Sequence, residues 1–397
     1  MINFDTNNVT EMYNMFANCI SLSSLDLSNF NTVNVTRMFS IFSDCWSLKS
    51  LDMSNFNTEK VTDMQSLFRG CTKLRDINIS NFNTALVIKN NYMFEGCSSL
   101  SAIRAGSAAI PDSIYAQIDN PNLLVYVNDA SLAPSNVTNV VVAGLAKNIV
   151  LTDTKEGNNN FYCPQAFTAE MVNYTREFSQ KTQIGVSRGW ESIALPFTIQ
   201  NITHEKNATL KPFGAEGNGK PFWLRQLGNN GLMRATKIEA NVPYLISMPN
   251  NNEAYPAEYN QAGKVTFSAE NVTIPTTIPV TLSLADSTLS MVPSFQRIGM
   301  SADIWAINVG EVRRAYYEGS VFERNYREVH PFEAYTVHKS NVPAPRFIAI
   351  MDIGGTTGIE TIESDMLNIE NGTRLTVANY KSNLSKRVFI SVANEKL

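Results

Sequence analysis

The sequence predicts a mainly β protein with short helices, and three observations carry that prediction. A 26-residue unit recurs at the N-terminus. Short apolar runs divided by turn residues fill most of the remainder. Asparagine is abundant, 44 residues against 36 Asp and Glu together, and Asn favours turns and left-handed corners over helix interiors. At 397 residues the chain is two to three ordinary domains long and can bury at least one full core. A net charge of −4 argues against a general phosphate-binding surface. No stretch approaches the ~18 uninterrupted apolar residues of a membrane span, and five cysteines in this length are no disulfide framework.

The first element is the repeat. Leu25–Ser50 (LDLSNFNTVNVTRMFSIFSDCWSLKS), Leu51–Asp76 (LDMSNFNTEKVTDMQSLFRGCTKLRD) and Ile77–Ala102 (INISNFNTALVIKNNYMFEGCSSLSA) align without a gap, and residues 2–24 fit the same frame in part. Leu48, Leu51 and Met53, like Leu22, Leu25 and Leu27, have the L-x-x-L-x-L spacing of a short strand. Val35, Met38, Ile41 and Phe42 recur at helical spacing, predicting a short helix. Thr32, with Thr6, Thr58 and Thr84, stands where a helix N-cap belongs. One strand and one short helix cannot enclose a core, but stacked copies can. Residues 1–102 are therefore expected to form a leucine-rich-repeat solenoid. Stacking places Phe4, Phe30, Phe56 and Phe82 over one another, and likewise Cys19, Cys45, Cys71 and Cys97. A 26-residue interval is not zinc-ligand spacing, so these cysteines are expected to be buried free thiols.

The NFNT-x-x-VT-x-M-x-x-MF-x-x-C-x-x-L consensus resembles the BspA-like leucine-rich repeats of surface proteins from Bacteroides-type gut and oral anaerobes. The fourth copy departs from it at Ile88 and Asn90. The resemblance implies a cell-surface or secreted location and adhesion to host matrix or mucosal proteins or to other bacterial surface proteins. Because the first repeat opens in mid-unit, a signal peptide and further repeats are expected upstream.

The period fades after residue 102. Residues 103–150 read as a cap and connector. Residues 151–353 hold short strands, among them WESIALPF (190–197), FWLRQL (222–227), VPYLISM (242–248), GKVTFSA (263–269), IWAINV (304–309), FEAYTVH (332–338) and RFIAIMDI (346–353). Their punctuation predicts a β-sandwich. NFYCPQAFTAE, GWESIALPF and ANVPYLISMPNN also resemble the region after the repeats in those surface proteins. Residues 354–397 begin with a Gly/Thr linker and end in a small β-appendage.

Motifs of catalysis lack their contexts. Gly185–Gly189 matches G-x-S-x-G around Ser187, but no apolar strand precedes it and no helix is expected after it. Gly214–Lys220 has the glycines and lysine of a phosphate loop, yet Pro221 replaces the required Ser or Thr. His204, His330 and His338 form no ligand pattern. No catalytic, cofactor-binding or metal residue is assigned.

Two surfaces remain. Between the inward leucines, Ser24, Ser50 and Asp76, then Asp26, Asp52 and Asn78, then Ser28, Ser54 and Ser80 form outward rows about 5 Å apart. They offer a polar ligand face, with a weak calcium site as one reading and a solvated strand surface as the other. The opposite, helical side varies at Arg37, Asp63 and Lys89. The second surface is aromatic: Trp190, Trp223, Trp305 and Tyr316–Tyr317. The expected function is that of a non-enzymatic adhesion protein without cofactor, nucleic-acid partner or membrane span. A carbohydrate-binding module within 160–353 is the alternative, and a hydrolase stands third.

Overall fold

A computed structural model describes residues 4–153, 158–182, 188–206, 208–250, 260–310, 317–339, 346–353 and 356–362. Ser187, Tyr316 and the appendage strands beyond residue 362 lie outside them. The protein is mainly β. Among the described residues, helix is confined to Asp112–Tyr115 and a 3-10 turn at Ala130–Leu132. The chain divides into two compact units, Met1–Tyr174 with Glu270–Thr277, and Thr175–Ala269 with Ile278–Leu397.

In the first unit the repeats stack in register. Strands Ser50–Asp52, Asp76–Asn78 and Ala102–Gly106 pair in parallel, with Leu51 opposite Ile77 and Ile77 opposite Ile103. The ladder continues beyond the repeat through Leu124–Val127 and Asn139–Val142. The strand expected at Leu25–Leu27 does not form, and that stretch is irregular. Behind the strands the core columns are buried, Leu48, Leu74 and Leu100 at 0% exposure. Phe16, Phe42, Phe68 and Phe94 stack at centroid separations of 5.5, 5.8 and 5.3 Å.

The predicted short helices are absent, and the hydrogen bonds say why. In the segment expected to be helical, alternate amides donate to the following coil. Met38, Ser40, Phe42 and Asp44 donate to the carbonyls of Asp63, Gln65, Leu67 and Arg69 at 2.9, 2.9, 3.0 and 2.7 Å. The amides of Met12, Asn14, Phe16 and Asn18 donate in the same way to Arg37, Phe39, Ile41 and Ser43, and those of Met64, Ser66, Phe68 and Gly70 to Lys89, Asn91, Met93 and Glu95. Two positions per coil adopt left-handed backbone. The first is Asn14, Ser40, Ser66 and Tyr92, with φ of 54–60°: 54, 55, 55 and 60°. The second is Asn18, Asp44, Gly70 and Gly96, at 61, 59, 73 and 76°. A right-handed helix cannot pass through such residues. Successive tight turns instead carry Ile41 and Phe42 inward.

The threonines are not helix caps. Each is buried and brackets two coils: the Thr32 hydroxyl accepts from the Asn57 amide at 2.8 Å and donates to the Asn57 carbonyl at 2.9 Å. Thr6 accepts from the Asn31 amide and Thr84 donates to the Ala109 carbonyl at equivalent places. Asparagines do related work past the repeats. The Asn122 side chain donates to the Thr152 and Asn159 carbonyls and accepts from the Thr152 amide, while Asn139 donates to Pro121 and Val150 and accepts from the Val150 amide. Both are fully buried, so a chain low in charge satisfies its interior backbone with amides.

The cysteines are unbridged. Cys45, Cys71 and Cys97 are buried, and their thiols donate to the Phe16, Phe42 and Phe68 carbonyls at 3.1, 3.0 and 3.0 Å. Cys19 departs from the expectation of burial: it is exposed, having no described coil before it.

In the second unit each predicted apolar run contains a strand, including Lys220–Gly228, Tyr244–Ser247, Trp305–Ile307 and Glu333–His338. One sheet places Lys220–Gly228 between antiparallel neighbours Gly231–Arg234 and Tyr244–Ser247. A second joins Leu289–Ser294, Glu333–His338, Trp305–Ile307, Val321–Arg324, Phe347–Ile353 and Thr356–Ile362 in that order. Leu227 and Leu245 of the first share a core with Met291, Trp305 and Phe322 of the second. The bidentate Arg327–Glu333 pair, at 2.7 and 3.1 Å, is sheltered beside it.

Candidate functional site: the strand face of the stacked repeats

The outward rows form where the strands pair. Ser50 stands opposite Asp76 and Asp52 opposite Asn78. Ser24, Asp26, Ser28, Ser50 and Asp52 are exposed, Ser54, Asn78 and Ser80 are half-buried, and Asp76 is buried. The face is thus open at Ser24–Ser28 and Ser50–Asp52 and covered at Asp76–Ser80.

Its central row has a structural duty that spacing alone did not reveal. Asp26 Oδ1 accepts from the Ser28 amide at 3.0 Å, Asp52 Oδ1 from Ser54 at 2.9 Å, and Asn78 Oδ1 from Ser80 at 3.2 Å. Each closes a turn from its side-chain oxygen, the Asx arrangement that Asp and Asn favour. The Ser28 hydrogen bonds hold the Asp26 carboxyl below its ordinary pKa. At Asp52 burial acts to raise the pKa, but hydrogen bonds from Ser54 and Asn78 and the Arg104 charge outweigh it, so the net shift is downward. Both are pre-oriented carboxylates at neutral pH.

Continuing the row by 26 residues from Asn78 reaches Arg104, a residue the sequence reading left out. Arg104 stands opposite Asn78 and lays its guanidinium on Asp76 at 3.1 Å. Burial raises the Asp76 pKa, and Arg104 and Arg75 only partly counter it. The repeat period itself was the signal for Arg104. The Ser row ends likewise at Gly106, with φ 57°, where a Cβ would come within 2.5 Å of Ser80 Cβ.

The opposite side is not a helix surface but a second ladder. Glu11, Arg37, Asp63 and Lys89 bridge in parallel succession, with Glu11–Arg37 at 3.0 Å and Asp63–Lys89 at 3.7 Å. Charges alternate along the row, and Asp63 is buried.

Among the described residues no group of three His, Cys, Asp or Glu side chains is placed to hold a metal ion. Lys220 opens a strand rather than a helix, so the phosphate-loop pattern has no helix N-terminus to offer. His204 is buried, its Nε2 on the Ala262 carbonyl at 3.0 Å and its Nδ1 accepting from the Lys206 amide. Trp190 and Trp305 are core residues at 8% and 1% exposure, and the half-buried Trp223 packs on Phe213 at 5.6 Å. These tryptophans form no exposed sugar platform.

Residues 1–105 are similar to a family described as "Mycoplasma protein of unknown function, DUF285". No curated protein and no solved structure matches the chain.

Proposed function

We propose that the chain is a non-enzymatic, cell-surface or secreted interaction protein whose stacked repeats form a leucine-rich-repeat solenoid. It binds a partner protein through the strand face at Ser24, Asp26, Ser28, Ser50 and Asp52. One observation carries this reading. Asp26 and Asp52 are exposed, ionised and fixed by the Ser28 and Ser54 amides, so little side-chain entropy is lost when a ligand engages them. Arg104 on Asp76 supplies an internal example of the complementary group, a guanidinium seated on this same face. The partner is therefore a protein presenting Arg or Lys. The resemblance to BspA-like repeats agrees with adhesion, with a matrix or mucosal protein as the host-side partner.

The test is binding of the full chain to immobilised matrix proteins and mucin, compared with the Asp26→Asn/Asp52→Asn variant. Asn keeps the oxygen that accepts from Ser28 and Ser54, as Asn78 does for Ser80, and removes only the charge. Loss of binding at unchanged thermal stability is expected. Retained binding by the variant, or no binding by the parent chain, overturns the assignment.

A further inference from the structure

The second ladder of the stacked repeats presents a face whose side chains are spaced by the coils. Its outward column reads Glu11, Arg37, Asp63 and Lys89, one residue per coil, at steps of about 5 Å. The side chains of Glu11, Arg37 and Lys89 are 40, 46 and 59% exposed. Asp63 is more sheltered at 13%, with Oδ1 accepting from the Gln65 amide at 3.0 Å and Oδ2 lying 3.7 Å from Lys89 Nζ.

The order of the charges is the informative feature. Along the stack it runs negative, positive, negative, positive, and reversal exchanges every sign. Such a column is complementary to its own reversed copy. Two chains can face each other across a twofold axis perpendicular to the face and passing between the second and third coils. Glu11 then meets the partner's Lys89, Arg37 reaches the partner's Asp63, and each contact is made twice. A twofold axis along the stack would set Glu11 on the partner's Glu11 and Lys89 on the partner's Lys89, an arrangement that like-charge repulsion disfavours.

Apolar side chains obey the same symmetry. The residue just before the charged column is Thr10, Thr36, Thr62 or Ile88 in successive coils. The Thr36 and Thr62 hydroxyls donate to the carbonyl of the preceding coil, whereas Ile88 is 82% exposed. Two residues after the column come Tyr13 and Phe39, whose rings stack at 5.0 Å with an interplanar angle of 1°. The perpendicular twofold exchanges the two flanks of the column, so Tyr13 in coil one meets the partner's Ile88 in coil four.

We propose that this face is a self-association surface whose occupant is a second copy of the chain, docked antiparallel as an isologous dimer. Exposed ion pairs contribute little singly and are screened by salt, so the dimer is weak and salt-sensitive. Coils ahead of the first would overhang the partner's fourth coil and leave the pairing as it is. The face shares no residue with the strand face, so the proposal stands apart from the proposed function.

Sedimentation velocity of the full chain over a concentration series, at low and at high salt, tests it. The parent should dimerise at low salt and dissociate at high salt. Arg37→Glu/Lys89→Glu makes the column wholly acidic. Glu11→Lys/Asp63→Asn makes it basic while keeping the oxygen that accepts from Gln65. Each variant alone should be monomeric, and their equimolar mixture should dimerise again, a rescue that misfolded chains would not give. Ile88→Thr installs the residue found in the other three coils and should weaken the parent dimer about fivefold. A parent that stays monomeric at low salt overturns the proposal. So do charge variants that dimerise alone, a mixture that stays monomeric, or an Ile88→Thr dimer as tight as the parent's.

Discussion

The Thr58 hydroxyl accepts a hydrogen bond from the Asn83 amide at 2.6 Å and donates one to the Asn83 carbonyl at 2.9 Å. A single side chain therefore satisfies both backbone groups of a residue one repeat away, at 1% exposure. The residue type follows from that task. Only a short hydroxyl can accept and donate at once in a space this small.

Replacing Thr58 with Val preserves shape and strands the Asn83 amide and carbonyl. The expected cost is about 1–3 kcal/mol, read as a lower urea midpoint at unchanged slope. Thr58→Ser should retain most of the stability. A neutral Thr58→Val variant would show that the bracket contributes nothing.

The left-handed positions give a pair of opposite sign. At Gly70, φ is 73° and a Cβ would lie 2.3 Å from Asp44 Oδ1, so Gly70→Ala should destabilise by about 1–3 kcal/mol. Tyr92 occupies the other left-handed column at φ 60° with an exposed ring. Tyr92→Asn should leave stability unchanged or raise it by up to about 1 kcal/mol, because Asn tolerates this backbone. Thermal denaturation of both variants checks the signs.

Thiol accessibility should separate Cys19 from the rest. In the native protein one cysteine is expected to react rapidly with a disulfide reagent, and all five in denaturant. Burial pushes the Cys45 and Cys71 thiols up to about 11 and about 12, from 9.0. A raised folded pKa means the unfolded chain releases its protons first. Stability from these thiols is complete below pH 9.0 and is lost as pH rises toward the folded values. Cys71→Ala should flatten the alkaline arm of the stability profile.

The second unit should respond to mild acid. Burial lowers His330, with Arg327 and Arg297 adding to it against the opposing Glu333, and burial likewise lowers His338. A depressed imidazole pKa means the unfolded chain takes up protons first as pH falls. The contribution is complete above the ordinary value of 6.5 and declines below it. The His330→Gln variant should lose stability less steeply than the parent between pH 6.5 and about pH 5. Parallel profiles would contradict the assignment.

The repeat period, the in-register rows and the burial of Cys45, Cys71 and Cys97 are legible because stacking makes them properties of sequence spacing. The helical spacing misleads for a physical reason: consecutive tight turns also send residues such as Ile41 and Phe42 to one side, imitating helical spacing. The contrary signal was present in the column Asn18, Asp44, Gly70 and Gly96, four residues that tolerate left-handed backbone, immediately before each cysteine. The Asx role of Asp26 and Asp52 was hidden because an exposed carboxylate looks the same in sequence whether it binds a ligand or closes a turn. Brackets such as Asn120 to Asn160 span 40 residues without periodicity, and only the fold brings them together.

The repeats are held together coil to coil by backbone hydrogen bonds, and through-hydrogen-bond scalar couplings read those bonds out. In a deuterated sample, a long-range amide-to-carbonyl correlation experiment should connect the Phe42 nitrogen to the Leu67 carbonyl carbon and the Met38 nitrogen to that of Asp63. Couplings from Phe42 to the carbonyl of Met38 instead, four residues back as in an α-helix, would replace the coil-to-coil ladder with a helix.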